Sequence, residues 1–200
     1  MGSTRHDIGN HLQILASLAT DEPYVEGEPS AAEMSERFAV LLAACSAVYR
    51  MARPSNVVGG ALSVSVNAFL VELQRVLPQL GVIEKSGMSG PPPCVSVDAA
   101  VRVAVATVLL HRCMGSEEVR VSASFGELGL SVRIFTPHAR PLLRLLGNAE
   151  RLADALDLTD ALLGPAGATV DASSERGGFE VCLPPDTRRR AADMTQAGAA

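Results

Sequence analysis

The segment from His6 to Gln13 carries the residue types in this chain that are best suited to chemistry. On a helix of about 3.6 residues per turn, four polar residues fall on one stripe: His6, Asn10, Gln13 and Ser17. An imidazole that faces solvent titrates near neutral pH, so it can act as a nucleophile or carry a proton. His6 is therefore the candidate catalytic residue.

The same helix has an apolar stripe on the opposite side, formed by Ile8, Leu12, Leu15 and Ala19. This pattern predicts a helix that buries the apolar stripe against a partner and holds His6 towards solvent. Gly9 costs about 1 kcal/mol inside a helix relative to alanine, and we interpret it as room for the backbone of another protein. His11 lies near the edge of the apolar stripe and is expected to pack or to be partly solvated.

Composition excludes several classes of protein. The chain has 200 residues, 48% hydrophobic content and a net charge of −5, which allow one ordinary core or a small module plus a larger domain. No basic field points to nucleic acid, no apolar stretch could span a bilayer, and no signal-peptide pattern is present. Four scattered cysteines lack metal or redox spacing. We expect a cytoplasmic protein with reduced thiols that binds neither metal nor cofactor, and neither nucleic acid nor membrane.

Two helices are predicted ahead of Pro54, from Ser3 to Thr20 and from Ala31 to Ala52, with a loop between them. The second has a heptad seam formed by Met34, Phe38, Leu41, Cys45, Val48 and Ala52. An isolated hairpin cannot bury both apolar stripes, so pairing two hairpins predicts a homodimeric four-helix bundle. The alternative is that the hairpin packs on its own C-terminal domain.

The pattern beyond Pro54 predicts an α/β sandwich, which makes the whole chain α+β. The predicted elements are a helix over Ser63–Leu80, short strands over Val82–Lys85 and Cys94–Val97, a helix capped by Asp98 and running to Cys113, a hairpin of Val119–Phe125 and Leu128–Phe135, a two-piece helical segment over Pro141–Leu163, and a hairpin of Ala168–Ala172 and Phe179–Leu183. The predicted domains are 1–53 and 57–186, followed by a disordered tail over 187–200.

This layout resembles the core of two-component histidine kinases, in which a dimerising helical hairpin precedes an ATPase domain. The motif His6-Asp7-x-x-Asn10-x-Leu12-Gln13 is similar to their phospho-acceptor histidine box and to that of the sporulation phosphorelay phosphotransferase. The closing stretch, from Gly167 to Pro184, resembles the end of the ATPase domain.

The chain departs from the kinases where they hold nucleotide. Their magnesium-binding asparagine is absent from the helix over Asp98–Cys113, where the aligned positions are Val108 and Arg112. Residues 134–140 lack the Asp-x-Gly-x-Gly motif, and residues 156–167 lack a glycine-rich lid. Without these groups magnesium and triphosphate lose their ligands. We interpret the second domain as a degenerate fold that no longer binds ATP productively.

The resemblance implies a histidine phosphotransferase that relays a phosphoryl group between the aspartates of response-regulator receiver domains through His6. The receiver would bring Mg²⁺, so that this chain mainly positions the reacting group. Asp7 would orient the imidazole, Asn10 would bind the phosphoryl group or a water, and Arg5 would offset phosphate charge. The partner surface would comprise Arg5, Gly9, Gln13 and Ser17.

Two other functions stay open on the sequence alone. One is a non-enzymatic module that docks on a kinase or response regulator and inhibits it. The other is a sensor kinase with a diverged nucleotide site. Nucleotide binding would identify the kinase, and phosphate on His6 would separate the phosphotransferase from the docking module.

Overall fold

The computed structural model describes residues 2–20, 30–52, 57–58, 61–76, 85–86, 94–114, 119–126, 129–135, 149–173 and 177–184. The helices in these ranges are α1 (Gly2–Thr20), α2 (Ala31–Met51), α3 (Val66–Val76), α4 (Val97–Met114), α5 (Ala149–Leu163) and a 3₁₀ turn (Gly164–Ala166). The strands are β1 (Val57–Val58), β2 (Ala61–Ser65), β3 (Lys85–Ser86), β4 (Cys94–Ser96), β5 (Arg120–Gly126), β6 (Gly129–Phe135), β7 (Thr169–Ser173) and β8 (Gly178–Leu183).

The strands form two sheets. The larger has the order β3-β5-β6-β8-β7 and is antiparallel except where β3 pairs with β5. The smaller has the order β1-β2-β4 and is antiparallel. Alternate residues of β6 and β8 are buried, as expected for a sheet with one covered face. Helices α4 and α5 pack against each other; α4 also contacts β6 and β8, and α5 contacts β7.

Helix α4 lies at the centre of the molecule. Thirteen of its 18 residues are buried, which is the pattern of a helix that is covered on all sides. It contacts the larger sheet and α5, and it also contacts α2 of the N-terminal hairpin. The hairpin and the α/β part therefore share one continuous hydrophobic core.

The seam of α2 is buried within the chain. Its central residues, Leu41, Cys45 and Val48, are buried, and its outer residues are half-buried. Helix α2 packs against α1, α3 and α4. The expectation that this seam meets a second hairpin is therefore wrong, and the alternative, in which the hairpin packs on its own C-terminal domain, is the arrangement found. The apolar α4 supplies the covering surface that the isolated hairpin lacks.

The start of α2 follows its sequence closely. The Ser30 hydroxyl accepts from the Glu33 amide at 3.3 Å, while the Glu33 carboxylate accepts from the Ser30 amide at 2.7 Å. This reciprocal capping box satisfies two donors that the first turn would otherwise leave unpaired. The predicted span of α2 is confirmed to within one residue at its end.

Two predictions about the α/β part are wrong. Residues 63–65 belong to strand β2 instead of a helix, and the Ser65 hydroxyl accepts from the Ala68 amide at the start of α3. Asp98 does not cap α4, because the Ser96 hydroxyl accepts from the Ala99 amide at 3.1 Å and takes that role. The Asp98 carboxylate has other partners.

Most remaining elements are confirmed with shifts of one or two residues. The β5–β6 and β7–β8 hairpins and α4 lie where the pattern placed them, and β4 ends one residue early. Strand β3 begins at Lys85, and α5 begins at Ala149. The predicted loop over 21–29, residues 77–84, residues 141–148 and the predicted tail over 187–200 lie outside the described residues. Among the helices described, none combines the length and apolar character needed to cross a membrane.

Candidate functional site

The histidine motif lies on α1. The backbone of this helix is described from Gly2 to Thr20, and its side chains from Ile8 to Leu18. The side chains of Arg5, His6 and Asp7 therefore lie outside the described residues. The helical backbone still fixes their order around the axis relative to the residues that follow.

The buried side of α1 differs from the predicted stripe. His11, Leu15 and Leu18 are buried, whereas Ile8 and Leu12 are 38% and 41% exposed. The side of α1 that carries His11 therefore faces the core, because α2 and α4 offer this histidine polar partners that the apolar pattern does not reveal. Ile8 and Leu12, one turn apart, form an exposed apolar flank of α1.

The outward face of α1 consists of four exposed residues, Gly9, Asn10, Gln13 and Ser17. An added Cβ at Gly9 would meet nothing within 4 Å. At about 100° per residue, the backbone position of His6 lies roughly 140° around the axis from His11 and within about 60° of each outward-face residue. The described members of the predicted polar stripe thus lie together, on the side of α1 that the core leaves uncovered.

His11 is a buried polar residue of α1 with side-chain partners on two other helices. Its side chain is 2% exposed, and both ring nitrogens have partners. Nδ1 lies 2.7 Å from the Tyr49 hydroxyl on α2, and Nε2 lies 2.8 Å from Asp98 Oδ1 on α4. Sequence reasoning missed this role because the partners are 38 and 87 residues away, and nothing in the local spacing joins them.

The polar cluster extends from His11 through Asp98 to the far end of α5. Arg102 Nε donates to both Asp98 carboxylate oxygens at 3.0 and 3.1 Å. Arg102 Nη1 donates to the Leu162 carbonyl at 2.9 Å. The hydrogen bond from His11 is the main reason that the pKa of Asp98 lies below its usual value, and Arg102 lowers it further against the effect of burial. The carboxylate is therefore ionised near neutral pH.

Comparison with known proteins gives structural neighbours only. No protein-family model matches the chain, and no curated protein matches it. The ATP-binding domain of PrrB from Mycobacterium tuberculosis is 18% identical with a TM-score of 0.38, over 62% of this chain and 97% of that one. The histidine kinase domain of a blue-light activated kinase from Erythrobacter litoralis is 14% identical with a TM-score of 0.46, over 91% and 98%. The histidine kinase AdeS of Acinetobacter baumannii is 11% identical with a TM-score of 0.40, over 92% and 98%.

The positions expected to bind nucleotide carry other side chains and other structure. Val108, one of the two positions that the resemblance aligns with the magnesium-binding asparagine of the kinases, is fully buried in α4. Over residues 156–167, where the resemblance would put a glycine-rich lid, the chain continues as α5 and the 3₁₀ turn, and Gly167 caps that turn with a φ of 69°. That left-handed conformation favours glycine and turns the chain into β7. Within the described ranges, no group of His, Cys, Asp or Glu is placed to hold a metal ion.

Of the other histidines, His11 and His111 belong to the described residues. Both ring nitrogens of His11 are engaged, so neither is open to an incoming phosphorus atom. His111 is half-buried on α4, and burial lowers its pKa. His138 lies outside the described residues. The backbone of His6, the predicted acceptor, lies on the outward side of α1.

Proposed function

We propose that this chain is a histidine phosphotransferase of the two-component type, with His6 as the phosphoryl carrier and without ATP-dependent kinase activity. The proposal starts from the motif His6-x-x-x-Asn10-x-Leu12-Gln13. The observation that carries it is the orientation of α1. The core takes up the His11 side of the helix, and Asn10, Gln13 and Ser17 are left exposed on the side to which the backbone of His6 belongs.

The reaction asks little of this chain beyond presentation. A lone pair on an imidazole nitrogen of His6 would attack the phosphorus of a receiver's aspartyl phosphate in line. The new N–P bond forms as the acyl O–P bond breaks, and the aspartate leaves as a carboxylate. The reverse reaction on a second receiver completes the relay. Because charge spreads over the phosphoryl oxygens in the transition state, catalysis consists of positioning and electrostatic stabilisation.

The residues around His6 would divide these tasks. Asn10 would donate an amide hydrogen to the phosphoryl oxygens or orient a water for hydrolysis. Asp7 would fix the imidazole by accepting a hydrogen bond, and Arg5 would offset phosphate charge. The open space at Gly9 would admit the receiver's backbone. Mg²⁺ would be held in the receiver's own acidic pocket.

We infer that the second domain has a structural role in place of nucleotide binding. The buried Val108 provides no oxygen ligand for magnesium. The helical course of residues 156–167 provides no mobile glycine lid. The domain supplies α4, against which the hairpin buries its seam.

We also propose that the chain is a homodimer through α1 and not through the α2 seam. Ile8 and Leu12 expose apolar surface at adjacent turns of α1. Two such flanks facing each other about a two-fold axis would complete a four-helix bundle. The outward face of α1 would remain accessible in this dimer.

The test of this function is label transfer from phosphorylated receiver domains. A panel of receivers is phosphorylated with radiolabelled acetyl phosphate, freed of the small phosphodonor and mixed with this chain. The expected product is one phosphate per chain, labile to acid and stable to base, as a phosphohistidine is. His6→Gln should abolish the label, and His11→Gln should retain it.

Each result decides between the candidate functions. Label that persists in His6→Gln and vanishes in His11→Gln would show that the acceptor is His11 and not His6. Binding of receivers without label would favour the docking module. Label from ATP and Mg²⁺ in the absence of any receiver would identify a kinase.

A further inference from the structure

The polar cluster ties three helices together at one residue of α1. His11 forms hydrogen bonds with Tyr49 of α2 and with Asp98 of α4, and Arg102 donates to the same Asp98 carboxylate. Arg102 is itself only 13% exposed. Hydrogen bonds to charged groups are directional, and one that is removed from water is costly to leave unmade. The cluster therefore fixes the position of the His11 ring with respect to two other helices.

The hydrogen-bond roles follow from the chemistry of the groups. An ionised Asp98 carboxylate only accepts, so His11 Nε2 carries a hydrogen and donates it. Nδ1 then pairs with the Tyr49 hydroxyl, which can donate or accept. Leucine or phenylalanine at position 11 would fill the core without any such direction. Packing alone accounts for the burial of this site but not for a histidine with both nitrogens engaged.

Fixing His11 fixes the rotation of α1 about its axis. The outer atoms of a helix lie about 5–6 Å from the axis, so a rotation of roughly 20° displaces them by about 2 Å. A misplacement of about 1 Å at a reacting group can cost on the order of 100-fold in rate. Since His6 is fewer than two turns from His11 on the same helix, the rotation that His11 permits is the rotation that His6 experiences.

We propose that His11 is a positioning residue for phosphoryl transfer, which sets the rotation of α1 through Tyr49 and Asp98 so that His6 meets the receiver's phosphorus in line. This inference rests on the proposed function of His6. It assigns to the α/β part a specific task, because Asp98 and Arg102 belong to α4 and Leu162 to α5. The phosphotransfer helix is aligned by the domain that follows it.

The experiment compares two reactions of His6 in the full-length chain. Phosphoramidate is a small phosphodonor that reaches an exposed imidazole from many directions, so its reaction needs little alignment. Transfer between phospho-His6 and the receiver found in the panel above needs an aligned, docked complex. The variants are Tyr49→Phe, which removes one hydroxyl, His11→Gln, whose amide can still donate to Asp98, and His11→Leu, which removes both ring nitrogens. The matched control is Glu180→Gln.

The control removes the charge of a hydrogen-bonded carboxylate in another part of the fold. Glu180 accepts from Arg133 Nε at 3.1 Å and from the Ser131 hydroxyl at 2.5 Å. These partners lie on β6, and Glu180 lies on β8, so the change affects the sheet and leaves the three-helix junction unaltered. Its effect measures what general destabilisation does to transfer.

The expected result is a division between the two reactions. In Tyr49→Phe the phosphoramidate rate stays near that of the wild type, while single-turnover transfer to the receiver falls by about 10- to 100-fold, more than receiver affinity changes. The transfer rate falls less in His11→Gln than in His11→Leu, because glutamine keeps a donor to Asp98. Glu180→Gln transfers at the wild-type rate.

Other outcomes overturn the inference in recognisable ways. Equal transfer rates in wild type, Tyr49→Phe and His11→Leu would show that His11 does not position His6, with the proposed function intact. A loss in Glu180→Gln as large as that in Tyr49→Phe would reduce the effect to stability. A third outcome is that phosphoramidate labels the wild-type chain, but no receiver exchanges a phosphoryl group with it. This result would overturn the proposed function and this inference together.

Discussion

The contrast between Leu41 and Leu12 gives the sharpest test of how the hairpin is buried. Leu41 is 1% exposed in the core shared by α2 and α4, whereas Leu12 belongs to the exposed apolar flank of α1. Replacing Leu41 by alanine removes three carbon atoms, worth roughly 2.4 kcal/mol at about 0.8 kcal/mol each, and leaves a cavity. We expect a loss of about 3 kcal/mol in the free energy of unfolding, a large share of the roughly 5–15 kcal/mol of an ordinary domain.

Leu12→Glu should have the opposite profile. It places a charge in the proposed dimer interface, where burial without a partner is unfavourable, so the chain should become monomeric and stay folded. The assays are urea unfolding followed by circular dichroism and sedimentation velocity at two protein concentrations. Val71→Glu is the control, because Val71 is an exposed apolar residue that belongs to α3 and not to α1.

Two results would contradict this description of how the hairpin is buried. One is a Leu41→Ala variant that dissociates the dimer while the unfolding of each chain is unchanged, since Leu41 would then lie between chains. The other is a wild-type chain that sediments as a monomer at tens of micromolar, which would remove the dimer. Leu41→Ala should instead lower the urea midpoint by a similar amount at both concentrations.

Further predictions concern chemistry, nucleotide, pH and thiols. Asn10→Ala should change the lifetime of phospho-His6 more than the affinity for a receiver, as measured by label decay and by calorimetric titration. ATP with Mg²⁺ should give no heat of binding in calorimetry, and a micromolar dissociation constant would contradict the degenerate-domain interpretation. The pKa of Asp98 is lowered below its ordinary value of 3.8 in the folded chain. The ionised Asp98 carboxylate therefore stabilises the fold above about pH 4, and this stabilisation is lost as the pH falls through the pKa of the folded state. The difference in unfolding free energy between wild type and Asp98→Asn should shrink accordingly in acid. Burial raises the pKa of Cys45 to about 11, so iodoacetamide at neutral pH should alkylate it only on unfolding, as peptide mass mapping would show.

Periodicity was a good guide to elements and a poor guide to their neighbours. The heptad of α2 and the alternation of β6 and β8 depend on local spacing, and both predicted the correct secondary structure. The same seam has the wrong partner in the prediction, because an apolar stripe does not indicate which apolar surface covers it. Helix α4, apolar on all sides, was the signal that a second covering surface existed within the chain.

The errors at single residues have a common cause. His11 and Ser63 are polar yet buried. The spacing placed His11 near the edge of the apolar stripe without indicating its partners, and it placed Ser63 at the start of a helix. The helical spacing that begins at Val66 was extended back over residues 63–65, which belong to β2. Asp98 was predicted as a cap because it precedes an apolar run, but its carboxylate meets His11 from a helix 87 residues earlier in the chain. Such long-range polar contacts leave no trace in spacing.

The burial of the α2 seam on α4 also limits how the hairpin can be used elsewhere. A hairpin cut out after Met51 would expose Leu41, Cys45 and Val48 to water and would lose the carboxylate that satisfies His11. Such a fragment would aggregate or unfold unless another surface replaced α4. A chimaera that joins this histidine motif to another domain would therefore have to include α4 and the sheet that supports it. The smallest part of the chain expected to fold by itself is the whole fold.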